Sequence, residues 1–295
     1  MKLTKFITTI FSLVALFGLS ACDDSFPIGD LANNSDRIVV EGTFTNENRV
    51  QTIYISRTLA FTKSSPDGNS FPQLTGAQVS VSDDQGNTFS FIEQTPGVYA
   101  TSGAVQGVVG RSYTLTIVTS DGKQYVSTPE QMQEVAPIKA LEVTDSEEGN
   151  NGLGTEIEDT GKVINLTFND PAGVNNYYRW HWKESTTNNF TAIDSSFSNA
   201  YDEDRFFDGT ELKFDLTNVQ KNDTRYVQIH QTAITSGAFD FLQQISTQQE
   251  SGLGPFSPTP SPVRGNITNR NDSRDFALGY FMVASVTSST VEITQ

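Results

Sequence analysis

Cysteine and histidine are scarce in this sequence, which restricts both its stability and its chemistry. Cys22 is the single cysteine among 295 residues, so no disulfide can form within the chain and hydrophobic cores must hold the fold. The two histidines are His181 and His230. A structural zinc site usually has four ligands, mostly nitrogen or sulfur, so we expect no metal centre of this kind and no cofactor.

Basic residues are also few. The chain has 19 Lys and Arg against 35 Asp and Glu, a formal net charge of −16. Because nucleic-acid phosphates and anionic lipid head groups repel an acidic surface, we exclude nucleic acid as a partner and polybasic docking as a mode of membrane binding. The acidic balance favours solubility but does not identify a ligand.

Motifs typical of enzymes are missing. The sequence has no Gly-x-Ser-x-Gly elbow, no His-Glu-x-x-His pair and no phosphate-binding glycine loop. Neither histidine has a nucleophile partner that spacing alone reveals. We therefore expect a protein that is not an enzyme, and we name no catalytic residue.

Long apolar runs are absent apart from one at the amino end. Lys2 and Lys5 precede an apolar run from Phe6 to Leu19, which is too short for a stable membrane span of about 20 residues. This is the plan of a secretory signal peptide, covering residues 1–21. Leu-Ser-Ala-Cys, ending at Cys22, resembles the lipobox of bacterial lipoproteins, which implies cleavage before that cysteine and its acylation. The alternative is an ordinary signal peptide followed by an incidental cysteine.

Residues 22–36 are expected to form a lipidated tether, since they contain few apolar side chains. Asp23 and Asp24 follow the cysteine directly. This acidic pair resembles the export signal that sends lipoproteins of Bacteroidota to the outer face of the outer membrane. A plain polar linker is the alternative.

Residues 37–133 alternate with period two, as half-buried strands do. Clear examples are Ala77–Val81 and Tyr113–Ile117, and Asp121-Gly122 is a strong hairpin signal between two such runs. The mostly all-β pattern predicts an antiparallel sandwich of immunoglobulin type in this range.

Residues 134–295 are expected to form a second β-rich domain, a fibronectin-like antiparallel sandwich with one inserted helix. Thr224 before Tyr226 resembles the tyrosine corner of such sandwiches. A helix is predicted near residues 236–250, where apolar residues recur at helical spacing and Ser236 stands at the start. Four prolines at 255–262 predict an extended crossing after it.

Acidic clusters are plentiful, and we expect them to be solvated loops. They are Asp83-Asp84, Glu147-Glu148 and Asp202-Glu203-Asp204, together with the acid-rich segment 145–159. A Ca²⁺ site needs about six to eight oxygens in fixed geometry, and segment 145–159 has no recognisable loop spacing.

Aromatic residues are the candidate contacts for a ligand or partner. Trp180 and Trp182 are the only tryptophans, and Phe206-Phe207 stands within a polar, acidic stretch. Exposed aromatic residues can anchor a partner or stack on a sugar ring. The alternative is that both tryptophans belong to the core and that the phenylalanine pair packs beneath its loop.

The order of several short motifs resembles one known family. The motifs are Cys22-Asp23-Asp24, Ile38-Val39-Val40-Glu41-Gly42, Gly76-Ala77-Gln78-Val79, Gly97-Val98-Tyr99, Gly110-Arg111-Ser112-Tyr113-Thr114-Leu115, Asp121-Gly122-Lys123-Gln124-Tyr125, Gly265-Asn266-Ile267 and Leu278-Gly279-Tyr280-Phe281. The chain is similar to the Bacteroidota outer-membrane lipoproteins called domain of unknown function 4249. That resemblance implies an accessory role beside a SusC-like, TonB-dependent receptor, and it brings no catalytic residues.

Three hypotheses of function follow. The first is a lipid-anchored protein of the outer membrane, facing the cell exterior, which binds a ligand or docks on a TonB-dependent transporter in nutrient uptake. Phe206, Phe207 and the proline crossing would make the contacts. The second is a surface glycan or peptide hydrolase, and the third is a structural envelope lipoprotein.

Overall fold

The structure is a computed structural model that describes residues 37–59, 71–145, 161–190, 199–219, 225–251 and 263–293. The signal peptide, Cys22, Asp23, Asp24 and the rest of the tether lie outside the described residues. So do the proline crossing at 255–262 and nearly all of the acidic segment 145–159.

The described residues form β-strands with one α-helix and one short 3₁₀ helix. In the first half, the strands are β1 (Ile38–Thr45), β2 (Thr52–Arg57), β3 (Gln78–Asp83), β4 (Thr88–Thr95), β5 (Val98–Thr101), β6 (Ser112–Val118), β7 (Gln124–Ser127) and β8 (Glu130–Gln131). The second half contains β9 (Ile138–Asp145), β10 (Lys162–Asn169), β11 (Tyr177–Ser185), β12 (Asn199–Glu203), the 3₁₀ helix Asp204–Phe206, β13 (Glu211–Val219), β14 (Tyr226–Ala233), helix α1 (Ser236–Ser251), β15 (Arg264–Asn269) and β16 (Phe276–Glu292). No helix in the described ranges is long and apolar enough to cross a membrane.

Nine strands close into a ring. Their order is β1-β2-β5-β4-β3-β6-β7-β15-β16, and β16 returns to β1 through a parallel pairing. Inward-facing residues of alternating strands, such as Val81, Leu115 and Ile117, fill the interior. Because the ring is closed, these nine strands leave no long free edge among themselves.

Strand β16 belongs to both halves of the molecule. Its residues up to Ala284 pair with β1, and those from Ser285 onward pair with β14. Gly279 lies in the first part with a positive φ of 81°, and its backbone approaches Val40 so closely that a Cβ there would lie 2.0 Å from the Val40 carbonyl oxygen. Glycine is therefore required where this long strand meets β1.

Beyond the ring, the sheet continues from β16 through β14 and β11 to β12. A separate three-stranded sheet, β13-β10-β9, packs against it. The shared core contains Ile164, Leu166, Phe168, Tyr178, Trp180, Val227 and Ile229, which are all buried. These two sheets face each other across one apolar core, and the site described below lies at one end of them. We call this pair of sheets the second layer.

The predicted helix near 236–250 is confirmed as Ser236–Ser251. The Oγ1 atom of Thr235, rather than Ser236, caps it by accepting a hydrogen bond from the backbone N–H of Ala238 at 3.2 Å. Phe239 and Phe241 bury their rings against Tyr280 and other residues of the sheet. The helix thus covers a sheet face, as its apolar spacing predicts.

The all-β prediction is confirmed, whereas the division into two sandwiches is not. In residues 37–133, expected to form an immunoglobulin-like sandwich, strands β1 to β7 join β15 and β16 in the closed ring, and β8 pairs with β6. Alternation identifies which face of a strand is buried but not which distant strand pairs with it. A parallel pair such as β1 and β16 also has no connecting hairpin that would mark it in the sequence.

Candidate functional site

Two connections at one end of the second layer come together to form the candidate site. Residues 170–176 link β10 to β11, and residues 204–210 link β12 to β13. Each connection crosses between the three-stranded sheet and the larger sheet. Asp170 donates its backbone N–H to the carbonyl of Thr210 at 2.9 Å, which joins the two connections at their bases.

Three aspartates gather between these connections. The carboxylates of Asp170, Asp204 and Asp208 each contribute an oxygen, and these oxygens lie within 4.8 Å of one another. Asp170 and Asp204 are buried, whereas Asp208 is exposed. Sequence neighbours thus supply two of the acids, and the first comes from a connection more than thirty residues earlier.

Neutral donors hold all three carboxylates in place. Asp170 accepts hydrogen bonds from the Tyr178 hydroxyl at 2.6 Å and from the Gly209 backbone N–H at 2.9 Å. Asp208 Oδ1 accepts the backbone N–H of Gly173 at 2.7 Å. Every bond therefore ties a carboxylate to the other connection or to β11, which fixes the geometry of the group.

The shared negative charge changes the titration of the site. Burial raises the pKa of Asp204, and the nearby charges of Asp170 and Asp208 raise it further, against a backbone hydrogen bond from Asn176 that lowers it. Burial and the hydrogen bond to Asp170 likewise raise the pKa of the Tyr178 hydroxyl far above its usual range. The site is thus a place where added negative charge is disfavoured.

Asn176 borders the carboxylates and has an unsatisfied oxygen. Its backbone N–H donates to Asp204 Oδ2 at 2.7 Å, and its carbonyl accepts the Asp204 backbone N–H at 3.1 Å. The residue is only 8% exposed, and its side-chain Oδ1 is buried without a hydrogen-bond partner. Buried polar atoms are normally paired, so this oxygen is unusual.

Two adjacent phenylalanines on the second connection have opposite environments. Phe206 is 89% exposed. Phe207 packs instead on Phe168 and Tyr178, with ring centroids 6.5 and 6.3 Å away. Val174, on the facing connection, is 52% exposed. The site therefore presents an aromatic side chain to solvent on a turn that its neighbour anchors in the core.

Neither tryptophan is exposed. Trp180 is buried in the core of the second layer, and its indole N–H donates to the Gln231 side chain at 2.9 Å. Trp182 is partly buried and packs on the same core. Of the four aromatic residues predicted as contacts, Phe206 is the one with a freely exposed ring, since Phe207 is also packed.

The histidines lie side by side on neighbouring strands. His181 and His230 are paired across β11 and β14, with ring centroids 5.9 Å apart. Burial lowers the pKa of His181 to about 3, helped by the nearby charges of Arg179 and His230. This pair does not contact the aspartates and forms no part of the candidate site.

The prediction of solvated acidic loops is wrong for two aspartates. Asp204 is buried in the site, whereas Asp202 is exposed as expected. Asp83 is also buried, and its carboxylate pairs with Arg111 at 2.6 Å. Backbone N–H groups of its own turn donate to Asp83, and the backbone N–H of Asn176 donates to Asp204, so burial costs less than for an isolated charge.

Sequence reasoning did not single out Asp170, Asn176 or Asp208. Their local signals are turn dipeptides, Asp-Pro at 170–171 and Asp-Gly at 208–209. Such pairs indicate turns, but they do not indicate that two turns meet. Gly209 adopts a positive φ of 70°, and a Cβ there would lie 2.7 Å from that of Ala172, so the contact between the connections depends on it.

A family model covers almost the whole chain beyond the first residues. The family described as "Domain of unknown function (DUF4249)" matches residues 24–290. The chain belongs to this family. The match confirms the resemblance of the short motifs, and it includes both connections of the candidate site. No curated protein matches the chain.

Three solved structures are partly similar to this member of the family. A DUF4785 family protein from Legionella pneumophila is 8% identical, with a TM-score of 0.21. The alignment covers 64% of this chain and 51% of that protein, and coverages are given in this order below. The two fibronectin type-III domain segment from chicken tenascin is 14% identical, with a TM-score of 0.18 and coverages of 68% and 90%. CBD12 from CALX1.2 is 11% identical, with a TM-score of 0.18 and coverages of 87% and 100%.

These likenesses are too weak to establish a shared fold. The chain spans about half the length of the Legionella protein. The closed ring and the two-connection site therefore rest on the strand pairings and contacts of this chain itself.

Proposed function

We propose that this protein is a lipid-anchored component of the outer membrane that faces the cell exterior and docks on a partner in TonB-dependent nutrient uptake. The SusC-like, TonB-dependent receptor is the partner that the resemblance implies. Cys22 would carry the acyl chains, and Asp23 and Asp24 would direct export to the surface. The folded part would then act as a binding module.

The exposure of Phe206 is the observation that carries the binding role. Phe206 is 89% exposed, so most of its surface is available for burial against a partner. Aromatic residues of this kind are enriched among the residues that dominate interface energies. Because Phe207 and the aspartate hydrogen bonds hold the turn, little conformational entropy is lost on binding.

A pull-down from gently solubilised membranes tests the docking proposal. We expect the tagged wild-type protein to retain a membrane partner, and Phe206→Ala to lower the recovered amount at least tenfold. Phe71→Ala is the matched control, because Phe71 is 60% exposed in a different part of the chain. We expect this control to keep the partner.

Two outcomes would contradict docking. Recovery of the monomer alone from wild-type membranes would favour the structural envelope role. Equal recovery with Phe206→Ala and with Phe71→Ala would show that Phe206 does not contact the partner.

The hydrolase alternative depends on acids that face a substrate. The aspartates do converge, but both oxygens of Asp170 accept hydrogen bonds from protein donors, and Asp204 is buried. These contacts favour a structural or binding role for the group over proton transfer to a glycan or peptide.

We also propose that the second layer is a fibronectin-like sandwich. Its three-stranded sheet, β13-β10-β9, faces four strands in the order β16-β14-β11-β12, which is the three-plus-four arrangement of such domains. Helix α1 and β15 would then be an insertion before the last strand. The sandwich would then begin near residue 134. Strand β15 and the first part of β16 would belong to the ring instead.

A further inference from the structure

We propose that Asp170, Asp204, Asp208 and the side-chain oxygen of Asn176 form a binding site for a divalent cation, with Ca²⁺ as the preferred ion. The proposal concerns the two connections 170–176 and 204–210, and it holds whether or not a membrane partner docks on Phe206. It rests on the spacing of the oxygens, on the unsatisfied Asn176 oxygen and on the charge of the group.

The spacing suits a cation of the size of Ca²⁺. Carboxylate oxygens of all three aspartates lie within 4.8 Å of one another. Ca²⁺ binds oxygens at about 2.3–2.6 Å, so two ligands on opposite sides of one ion are separated by at most about 5 Å. Mg²⁺ binds at about 2.0–2.1 Å and demands near-ideal octahedral geometry, which irregular turns supply less readily.

Asn176 provides independent support. Its Oδ1 is buried and has no hydrogen-bond partner. Tyr178, two residues further on, donates its hydroxyl to Asp170, so both residues border the aspartates. Asn176 adjoins the cluster through its backbone, which exchanges two hydrogen bonds with Asp204, and an amide carbonyl is a typical Ca²⁺ ligand.

The charges of the site also lack compensation. The donors that contact the three carboxylates are the Tyr178 hydroxyl and the backbone N–H groups of Asn176, Gly173 and Gly209, and all of these are neutral. Buried charges are normally paired or coordinate a metal ion. A bound cation would reduce the mutual repulsion of the aspartates. It would also give the Asn176 oxygen a partner.

The first test is a titration of the full chain, purified in detergent, with Ca²⁺ and with Mg²⁺ by calorimetry. We expect one saturable Ca²⁺ site with a Kd of about 10⁻⁴ to 10⁻³ M, as for extracellular modules, and weaker Mg²⁺ binding. In 10 mM Ca²⁺ the Tm should rise by about 3–5 °C. Tb³⁺ replaces Ca²⁺ at oxygen sites, and its luminescence should be sensitised by the adjacent Tyr178.

Two single substitutions of equal charge locate the site. Asp208 is exposed, so Asp208→Asn removes a ligand without disturbing the core, and we expect Ca²⁺ affinity to fall about tenfold or more. Asp202 is exposed on the neighbouring strand and lies outside the cluster. Asp202→Asn should leave the affinity and the Tb³⁺ signal unchanged.

Failure to observe saturable Ca²⁺ binding or any Tm rise in the folded wild-type chain would overturn the proposal. Equal losses of affinity in Asp208→Asn and Asp202→Asn would also overturn it, since binding would then follow the overall negative charge. Circular dichroism of both variants establishes that each remains folded.

Discussion

Asn176 and Asp204 are joined by two hydrogen bonds that run in opposite directions. The backbone N–H of Asn176 donates to the Asp204 carboxylate at 2.7 Å, and the backbone N–H of Asp204 donates to the Asn176 carbonyl at 3.1 Å. This reciprocal pair joins the end of β12 to the beginning of β11. It also positions the turn from which Phe206 extends into solvent.

Lipidation at Cys22 gives the first prediction. Cys22→Ser removes the acceptor thiol, so labelled palmitate should not be incorporated and the protein should leave the membrane pellet on fractionation. Double substitution of Asp23 and Asp24 by Asn is the control. It should keep the palmitate label but reduce cleavage of the protein by protease added to whole cells. Firm membrane association of Cys22→Ser would refute the anchor.

The close approach of β16 to β1 gives the second prediction. Gly279→Ala places a Cβ 2.0 Å from the Val40 carbonyl oxygen at a positive φ, so we expect the free energy of unfolding to fall by about 3 kcal/mol or more. Gly86→Ala has a similar φ of 87° but nothing within 4 Å, and should cost only about 1 kcal/mol. Chemical denaturation measures both, and equal losses would show that the contact with β1 is unimportant.

The third prediction is that acid destabilises the fold through His181. Its pKa is about 3 in the folded protein against an ordinary 6.5, so below pH 6.5 the unfolded chain binds a proton that the folded chain does not. Stability should therefore fall as the pH drops from about 6.5 towards 3, by up to about 1.4 kcal/mol per pH unit. The lowered pKa of His230 acts in the same direction, whereas the raised pKa of Asp204 opposes it.

Comparison of His181→Gln with the wild type isolates this contribution. The variant should lose less stability between pH 6.5 and pH 4 when the free energy of unfolding is measured by denaturation. Parallel pH profiles for the two proteins would mean that His181 is not kept neutral by the fold.

Local sequence patterns anticipated individual elements better than their assembly. Tyr113, Leu115 and Ile117 face the core of the ring as their alternation predicts, and Phe239 buries its ring from the predicted helix. The pairing of Val40 with Gly279 was not predictable in this way, since 238 residues separate them in the chain and no turn connects their strands.

The candidate site was anticipated only in part, for a related reason. Phe206 was predicted as a contact because an aromatic residue in a polar turn is conspicuous, and its exposure agrees with that role. Burial of Asp204 depends on the N–H of Asn176, which a different connection supplies. Composition shows that a segment is acidic, but only the meeting of two turns determines which carboxylate is enclosed.

Photocrosslinking in living cells tests docking at Phe206 most directly. A photoreactive phenylalanine analogue is placed at position 206, with position 71 as a control that is also exposed, and the membranes are illuminated and analysed by mass spectrometry. We expect one crosslinked outer-membrane receptor from position 206 and none from position 71. Absence of any adduct at position 206, or the same adducts from both positions, would contradict docking at this position.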